Sequence, residues 1–319
     1  MKILLKRVLF FLINKLELFE SFFNFFYFFG KKNKIETEFH PVFIVGAPRT
    51  GSTILYQLMT NQFYVTYIDN LMCNFYRSII LGNQISKFIF KNNPHNVSKS
   101  NFGNTNKFGL HAPSECGQFW YRWLPKDRHF IDYDDFIDTV VEEIRREIYS
   151  VINKDKQPFI FKNLNAGQRL RLISKVAPEA KIIFIRRNIL ETAFSIYQGR
   201  LKNRIKDDEW WGIMPPNVKE LNKLPLYEKI VKQIYFIEKQ IFDDKHLFPS
   251  KNFLIVNYED FVDKPDNFLE IIKKFIGNNV QEHKNTKKLA IKKKHHDYNK
   301  DVINEFKAEI EKLDWKYTK

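Results

Sequence analysis

The sequence predicts an α/β fold of three layers, in which a central, mainly parallel sheet lies between two layers of helices. Two observations predict it. Short apolar runs rich in β-branched and aromatic residues alternate with longer segments of helical periodicity, as in a parallel sheet covered on both faces. The first apolar run ends in a glycine-bounded loop that leads directly into a helix, which is the order of elements that builds a phosphate cradle.

Each element is predicted from its own pattern of apolar residues. The predicted strands are 42–46, 64–68, 158–162, 181–186 and 252–257. The predicted helices are 51–61, 133–153, 166–177, 189–204, 218–242, 265–276 and 301–313. We expect one α/β domain over residues 36–319, because a chain of 319 residues with 44% hydrophobic residues can bury a core of that size.

Residues 1–35 are predicted to form an amphipathic helix ahead of that domain. At 100° per residue, most of its apolar side chains fall in one sector and its polar side chains in the other, and three lysines follow between 31 and 34. Two interpretations stay open: residues 1–30 make a peripheral contact with a membrane, or the helix packs on the protein's own core or on a partner subunit. The longest uncharged run, Ser21 to Gly30, is too short to span a bilayer.

The composition bears on partners and compartment. Lys and Arg total 52 against 37 Asp and Glu, and the resulting charge of +15 suits an anionic cofactor, an anionic membrane or nucleic acid. The chain is also rich in Phe, Asn and Ile, a bias that AT-rich coding produces, so we give the charge little weight and expect no nucleic-acid partner. Cys73 and Cys116 provide no disulfide framework and indicate a reducing compartment, so we expect a cytoplasmic location, with peripheral membrane contact as an option.

The loop at residues 46–53, Gly-Ala-Pro-Arg-Thr-Gly-Ser-Thr, is the clearest functional signal. Its backbone N–H groups and the positive end of the following helix dipole are suited to bind phosphate. The spacing of Gly46 and Gly51 matches the P-loop of nucleotide hydrolases and kinases, but Ser52 stands where that motif has lysine. Arg49 is the only cation in the loop. The missing lysine argues against a nucleoside triphosphate with its Mg²⁺, and a P-loop kinase or nucleotide hydrolase remains the alternative.

This loop resembles the 5′-phosphosulfate loop of sulfotransferases that use 3′-phosphoadenosine-5′-phosphosulfate (PAPS). The likeness is greatest to the bacterial branch, whose loop reads Gly-Ala-Pro-Arg-Ser/Thr-Gly-Thr/Ser-Thr. The resemblance implies a P-loop-like fold, PAPS as the donor and no metal. It also implies that the donor's 5′ end is held by Arg49, Thr50, Gly51, Ser52 and Thr53.

A second motif supports the same family. The predicted strand 181–186 leads into Arg187, and Ser195 follows eight residues later on a helix. In the sulfotransferase pattern an arginine and a serine at this spacing bind the donor's 3′-phosphate, and the carboxyl end of a parallel strand is a usual ligand position. Arginine suits a terminal phosphate because its planar fork makes bidentate hydrogen bonds. Ile189 stands where the family usually has proline.

The catalytic candidates come from the same resemblance. Glu115, in a Pro-x-Glu element followed by aromatic residues, is the expected general base, and His111 is the alternative, since another branch of the superfamily uses histidine. A purely structural interpretation is that Ser114 caps a helix with Glu115 in its first turn. Arg49 and Lys162 are the expected cations that cover the leaving oxygen, because Lys162-Asn163 resembles the family's Lys-Asn/Asp-Pro element.

Three further segments have weaker signals. The segment 207–216, with Trp210 and Trp211, is interpreted as an acceptor-side wall or as a satellite core. The element at 256–261 is expected to be structural, and the basic segment 292–298 could fold over the 3′-phosphate.

The predicted function is transfer of the sulfuryl group from PAPS to a hydroxyl or amine of a carbohydrate, lipid or small-metabolite acceptor. A non-catalytic, basic membrane-binding protein is the alternative outside the enzymes. The amphipathic N-terminus favours a membrane-associated acceptor, and nothing in the sequence indicates an oligomeric state.

Overall fold

A central sheet of five parallel strands organises the molecule. The computed structural model describes residues 18–28, 38–284, 286 and 299–315. Within them the strands are β1 (Pro41–Val45), β2 (Thr66–Tyr67), β3 (Phe159–Phe161), β4 (Lys181–Arg186) and β5 (Phe253–Asn257). Their spatial order is β2-β3-β1-β4-β5, and every pairing is parallel. Phe43 at the centre of β1 lies beside Phe161 of β3 and Ile182 of β4.

Helices cover both faces of this sheet. The α-helices are α1 (Ser52–Gln62), α2 (Asn70–Cys73), α3 (Ile79–Phe90), α4 (Gly117–Trp120), α5 (Asp138–Asp155), α6 (Leu170–Val176), α7 (Ile189–Lys202), α8 (Val218–Leu221), α9 (Leu226–Asp243), α10 (Tyr258–Asp263), α11 (Pro265–Ile276) and α12 (Lys300–Glu311). Residues 18–28 are also helical. The predicted three-layer fold with a parallel sheet is therefore confirmed.

The two cores show why the strands read as continuous apolar runs. In β1 the side chains of Val42 and Ile44 join the core under α1 and α11, whereas Phe43 and Val45 join the larger core under α5 and α9. All four are fully buried. Because successive side chains point to opposite faces, a strand that is covered on both faces needs an apolar residue at every position.

The boundaries differ most from the prediction at two helices. The helix predicted over 218–242 is divided into α8 and α9, with Pro225 directly before α9. Proline lacks an N–H and restricts the residue before it, so a helix can begin after it but cannot run through it. The helix predicted from 133 begins at Asp138, because Tyr133–Asp135 forms a 3₁₀ turn that Asp132 caps.

The cysteine prediction is wrong. Cys73, the last residue of α2, and Cys116, the residue before α4, form a disulfide. The sequence separation of 43 residues gave no sign of this pairing, which depends on how α2 packs next to the segment before α4. The cysteines therefore no longer support a reducing compartment.

Two predicted segments lie partly or wholly outside the described residues. Of the predicted N-terminal helix, only 18–28 is described, and the basic segment 292–298 lies entirely outside the described residues. The division between residues 35 and 36 stays a prediction. In the described ranges, no helix has the length and apolar character needed to cross a membrane.

The parallel arrangement positions the candidate site. Gly46 follows β1, Lys162 follows β3, Arg187 follows β4 and Tyr258 follows β5, so all four lie at one edge of the sheet. The carboxyl ends of parallel strands meet there, which is where open α/β sheets bind ligands.

Candidate active site

The loop after β1 has the backbone of a tight cradle. Arg49 has φ 71° and Gly51 has φ 88°, both in the left-handed region. A Cβ atom on Gly51 would lie 2.3 Å from Cδ2 of Tyr258, so only glycine fits there. The Thr50 hydroxyl donates to the carbonyl of Ala47 at 2.9 Å and is fully buried. The side chain of Thr50 thus closes the loop, and only its backbone can serve a ligand.

Helix α1 begins immediately after the loop. The carbonyl of Gly51 accepts from the N–H groups of Ile54 and Leu55 at 3.0 and 3.1 Å. The first N–H groups of a helix have no partner within it, and the helix dipole adds positive potential at this end. Gly51, Ser52 and Thr53 all line the same cavity, so this end of α1 faces the space where a ligand would bind.

Two arginines and a serine meet beside the loop. Nε of Arg49 donates to Oγ of Ser195 at 3.1 Å, and Nη1 of Arg187 donates to the carbonyl of Arg49 at 3.2 Å. Arg187 also pairs with Glu191 at 3.2 Å, whereas no ion pair involves Arg49 within the described part of the chain. Burial, and then the charge of Arg187, lower the pKa of Arg49. Such an arrangement suits an anion, because a phosphate would offset the repulsion between the two guanidinium groups.

A buried lysine and a glutamate face the start of α1. Nζ of Lys162, directly after β3, forms an ion pair with Oε1 of Glu115. A Cβ atom on Gly103 would lie 3.2 Å from Oε1 of Glu115, 3.3 Å from Oγ1 of Thr53 and 3.6 Å from Nζ of Lys162. The base candidate, the cation candidate and a hydroxyl of the cradle therefore converge on one point.

Glu115 does not lie in a helix. Helix α4 begins at Gly117, with Cys116 as its N-cap at φ 38°, and Oγ of Ser114 accepts from the N–H of Cys116 at 3.3 Å. The interpretation in which Ser114 caps a helix with Glu115 in its first turn is wrong. The left-handed backbone at Cys116 instead ends the extended segment that carries Glu115 into the cavity.

Sequence reasoning missed a short hairpin over the site. Asn101 and Asn104 exchange two backbone hydrogen bonds at 2.8 and 3.0 Å, around Phe102 at φ 51° and Gly103 at φ 97°. Positive φ at both central positions is the geometry of a tight hairpin turn. The ring of Phe102 lies 5.1 Å from the Arg49 guanidinium carbon and 5.6 Å from the Trp211 ring. The Asn-Phe-Gly-Asn sequence was the available signal for the turn, but not for its place above the cradle.

Two other aromatic residues complete the wall. The guanidinium carbon of Arg187 lies 4.8 Å from the ring centroid of Tyr258, in the segment that was expected to be purely structural. The ring centroid of Trp211, in the segment predicted to form a wall, lies 5.9 Å from the guanidinium carbon of Arg49. Both rings line the cavity, so they hold the two arginines by cation–π contacts.

These groups share one cavity of about 760 Å³. Most predicted site residues line it, namely Arg49, Gly51, Ser52, Thr53, Glu115, Lys162, Arg187 and Ser195.

His111 lies apart, in a separate small cavity, where its Nδ1 is 3.2 Å from Oδ2 of Asp69 and its Nε2 is 2.8 Å from the carbonyl of Asn93. The structure does not bring His111 to Glu115, and the catalytic roles of both stay predictions. In the part of the chain that is described, no cluster of His, Cys, Asp and Glu has the arrangement of a metal site.

The lining of the cavity also includes Tyr121, His129, Asn165 and Ile213. Nδ2 of Asn165 donates to the Tyr121 hydroxyl at 3.1 Å, and the N–H of Met214 donates to Nδ1 of His129 at 2.8 Å. Burial, with a further contribution from Arg169, lowers the pKa of His129 to about 4, so this ring is neutral near pH 7. The imidazole of His129 and the amide of Asn165 therefore give the cavity uncharged hydrogen-bonding groups.

The sheet order and the cradle at the start of α1 define a P-loop-like α/β protein with a basic ligand cavity. The family model described as the sulfotransferase family matches residues 41–282. This chain therefore belongs to the sulfotransferase family, as its resemblance implied.

Individual relatives are distant. The chain is 20% identical over 255 residues to proteins of Mycobacterium bovis and Mycobacterium tuberculosis, both described as omega-hydroxy-beta-dihydromenaquinone-9 sulfotransferase Stf3. The match covers 74% of this chain and 62% of each relative, so the chain spans less than two thirds of their length.

The similarity to solved structures is also low. Sulfotransferase STF9 from Mycobacterium avium has a TM-score of 0.47 at 15% identity, over 74% of this chain and 63% of that chain. Sulfotransferase STF1 from Mycobacterium tuberculosis H37Rv has a TM-score of 0.45 at 13% identity, over 76% and 68%. The sheet order, rather than these scores, carries the fold assignment.

Proposed function

We propose that this protein transfers the sulfuryl group of PAPS to a hydroxyl or amine of an acceptor, in the manner of the bacterial branch with a glutamate base. The observation that carries the proposal is the convergence of Glu115, Lys162 and Thr53 at the start of α1. The same cavity holds the arginine cluster, so an anionic nucleotide and a transfer centre fit into one space.

The arginine cluster is proposed to hold the donor. Arg187 and Ser195 would bind the 3′-phosphate, and the loop with the first N–H groups of α1 would bind the 5′-phosphosulfate. Arg49 lies between these two sites, bonded to Ser195 through Nε and to Arg187 through its carbonyl. One guanidinium can therefore face both ends of the donor.

In the proposed step, the Glu115 carboxylate takes the proton of the acceptor's O–H or N–H group. The acceptor oxygen or nitrogen forms a bond to sulfur, while the bond between sulfur and the 5′-phosphate oxygen breaks. The electron pair of that bond remains on the phosphate oxygen. Lys162 covers this new charge, and its release from Glu115 as the carboxylate is protonated makes its own charge available at that moment.

The acceptor is proposed to be a hydroxyl-bearing lipid, carbohydrate or small metabolite. The mycobacterial relatives are described as sulfotransferases of a hydroxylated dihydromenaquinone. A lipid alcohol is therefore the first class to test, with labelled donor and lipid extracts beside saccharide extracts from the source cells.

A thermal-shift comparison tests the donor class. We expect adenosine 3′,5′-bisphosphate to raise the melting temperature without added metal, and ATP with Mg²⁺ to have little effect. Stabilisation by ATP–Mg²⁺ alone would favour a kinase or nucleotide hydrolase. The absence of a shift with either ligand would favour a non-catalytic binding protein.

A further inference from the structure

The helical residues 18–28 are docked on the protein by their polar side. The carboxylate of Glu20, which is 1% exposed, accepts from the backbone N–H of Arg77 at 3.0 Å. Oδ1 of Asn24 accepts from the Ser78 hydroxyl at 2.6 Å, and its Nδ2 donates to the Arg77 carbonyl at 2.5 Å. Nδ2 of Asn24 is also 3.3 Å from the buried carboxylate of Glu147. These specific bonds fix which side of the helix faces the protein.

The opposite side of this helix is apolar and open. Its exposed residues, which we call the phenylalanine face, are Leu18 (72%), Phe19 (54%), Phe22 (63%), Phe25 (62%) and Phe26 (59%). At 100° per residue they form one continuous sector opposite Glu20 and Asn24. The partly buried Phe23, Tyr27 and Phe28 already pack on the core, so the phenylalanine face is not needed to attach the helix.

Such a face is unusual for a protein surface. An amphipathic helix on a globular domain normally turns its apolar stripe to the core and its polar side to water. Here the order is reversed, and five large apolar side chains lie together in the open, which marks an interaction surface.

The charge of the flanking sequence and of the whole chain indicates the partner. Lys15 and Glu17 precede the described helix, Lys31, Lys32 and Lys34 follow it in the sequence, and the whole chain carries a formal charge of +15. A second copy placed on this face would bring like charges together. An anionic bilayer would instead accept the aromatic side chains at its interface and attract the lysines.

We propose that the phenylalanine face docks the protein on the surface of an anionic membrane, with the helix lying in the plane of the interface. The proposal rests on how residues 18–28 are seated, and it holds whatever group the active site transfers. It resolves the two interpretations of the N-terminal helix, because the polar side packs on the protein and the apolar side meets lipid.

The test is sedimentation of the full-length protein with vesicles. The vesicles are phosphatidylcholine alone, or phosphatidylcholine with one quarter phosphatidylglycerol. We expect binding to the anionic vesicles, weaker binding to the neutral ones, and at least about tenfold weaker binding for Phe22→Ser/Phe26→Ser. Ile271→Ser is the matched control, because Ile271 is 51% exposed on α11, on the other side of the sheet.

Unchanged binding of the double variant, or equal binding to neutral and anionic vesicles, would overturn the proposal. Gel filtration without lipid gives a second readout. A wild-type dimer that the double variant converts to monomer, with vesicle binding unaffected, would show that the face joins two copies instead. Circular dichroism of the variants checks that both remain folded.

Discussion

Lys162 and Glu115 form an ion pair in which the lysine side chain is 2% exposed and the glutamate side chain 39% exposed. The buried lysine follows a strand of the sheet and is fixed by it, whereas the carboxylate reaches the cavity from the segment before α4. A buried charge needs a partner, so the ion pair with the lysine holds the glutamate carboxylate in place. The proposed general base is therefore positioned before the acceptor binds.

The first prediction concerns that base. Glu115→Gln keeps the side chain's shape and a hydrogen-bond acceptor for Lys162 but cannot take a proton. We expect turnover to fall roughly 10²-fold or more, while adenosine 3′,5′-bisphosphate binds nearly as before. Transfer of labelled sulfate and calorimetric binding measure the two quantities. His111→Asn is the comparison, and a loss of turnover in that variant instead of in Glu115→Gln would move the role to His111.

The second prediction concerns the donor's phosphate. Arg187→Ala removes the guanidinium that bonds the Arg49 carbonyl and stacks on Tyr258. We expect the affinity for adenosine 3′,5′-bisphosphate to fall about 10- to 100-fold, which is the scale of a lost charge-assisted hydrogen bond. The affinity of Arg187→Lys should lie between those of the wild type and the alanine variant. Titration calorimetry measures it. An affinity that survives the alanine change would place the 3′-phosphate elsewhere.

The third prediction uses two glycines that both have a positive φ. Gly103 has φ 97° and Gly109 has φ 101°, so alanine strains both, by about 1 kcal/mol. A Cβ atom on Gly103 would crowd Oε1 of Glu115 at 3.2 Å, whereas nothing lies within 4 Å of one on Gly109. We expect both variants to lose melting temperature but only Gly103→Ala to lose turnover. Equal turnover in the two variants would show that the Asn101–Asn104 hairpin stays clear of the reacting groups.

The sheet could be predicted because a strand that is buried on both faces leaves an uninterrupted apolar run, as in β1 and β4. Helix α3 could not, because its buried side includes Gly82, Asn83 and Ser86, whereas its apolar residues Phe88 and Ile89 are exposed. Gly82 is required by packing: a Cβ atom there would lie 2.9 Å from the Met72 carbonyl oxygen. Local propensity gave no hint of that contact.

At the candidate site, too, features that follow from the local sequence could be predicted, whereas contacts between distant segments could not. Arg187 and Lys162 were predictable because they directly follow strands that end at one edge. The contact of Phe102 with Arg49 joins segments far apart in the sequence, and so does the disulfide of Cys73 with Cys116. Nothing in the local pattern of either segment specifies its partner, so these features appear only once the chain is folded.

The fourth prediction concerns the pH dependence of stability. His129 has a pKa near 6.5 when unfolded and about 4 when folded, because it is buried and lies near Arg169. Between these values the unfolded state binds the additional proton, so stability falls as the pH falls from 6.5 to 4, by about 2–3 kcal/mol from this group. His129→Asn keeps an acceptor for the Met214 N–H but does not titrate. Urea unfolding at a series of pH values should show a shallower dependence for the variant, and parallel curves would contradict the prediction.

The last prediction concerns Arg169, which lies behind the cavity wall. Its side chain is 1% exposed, and among the described residues its Nε and Nη2 atoms find no hydrogen-bond partner. Burial lowers its pKa to about 10, with Tyr121 opposing part of the shift, so the group is charged at pH 7. A charge that is buried without a carboxylate costs stability, and we expect Arg169→Met to raise the free energy of unfolding at pH 7 by about 1–3 kcal/mol.

Arg122→Met is the matched control with the opposite sign, because Arg122 pairs with the buried Glu147 at 3.0 Å. The cost of Arg169 should also fade in the wild type as the pH rises above about 10, where the folded state releases the proton before the unfolded state does. A destabilised Arg169→Met variant would mean that the guanidinium is already compensated in the free protein.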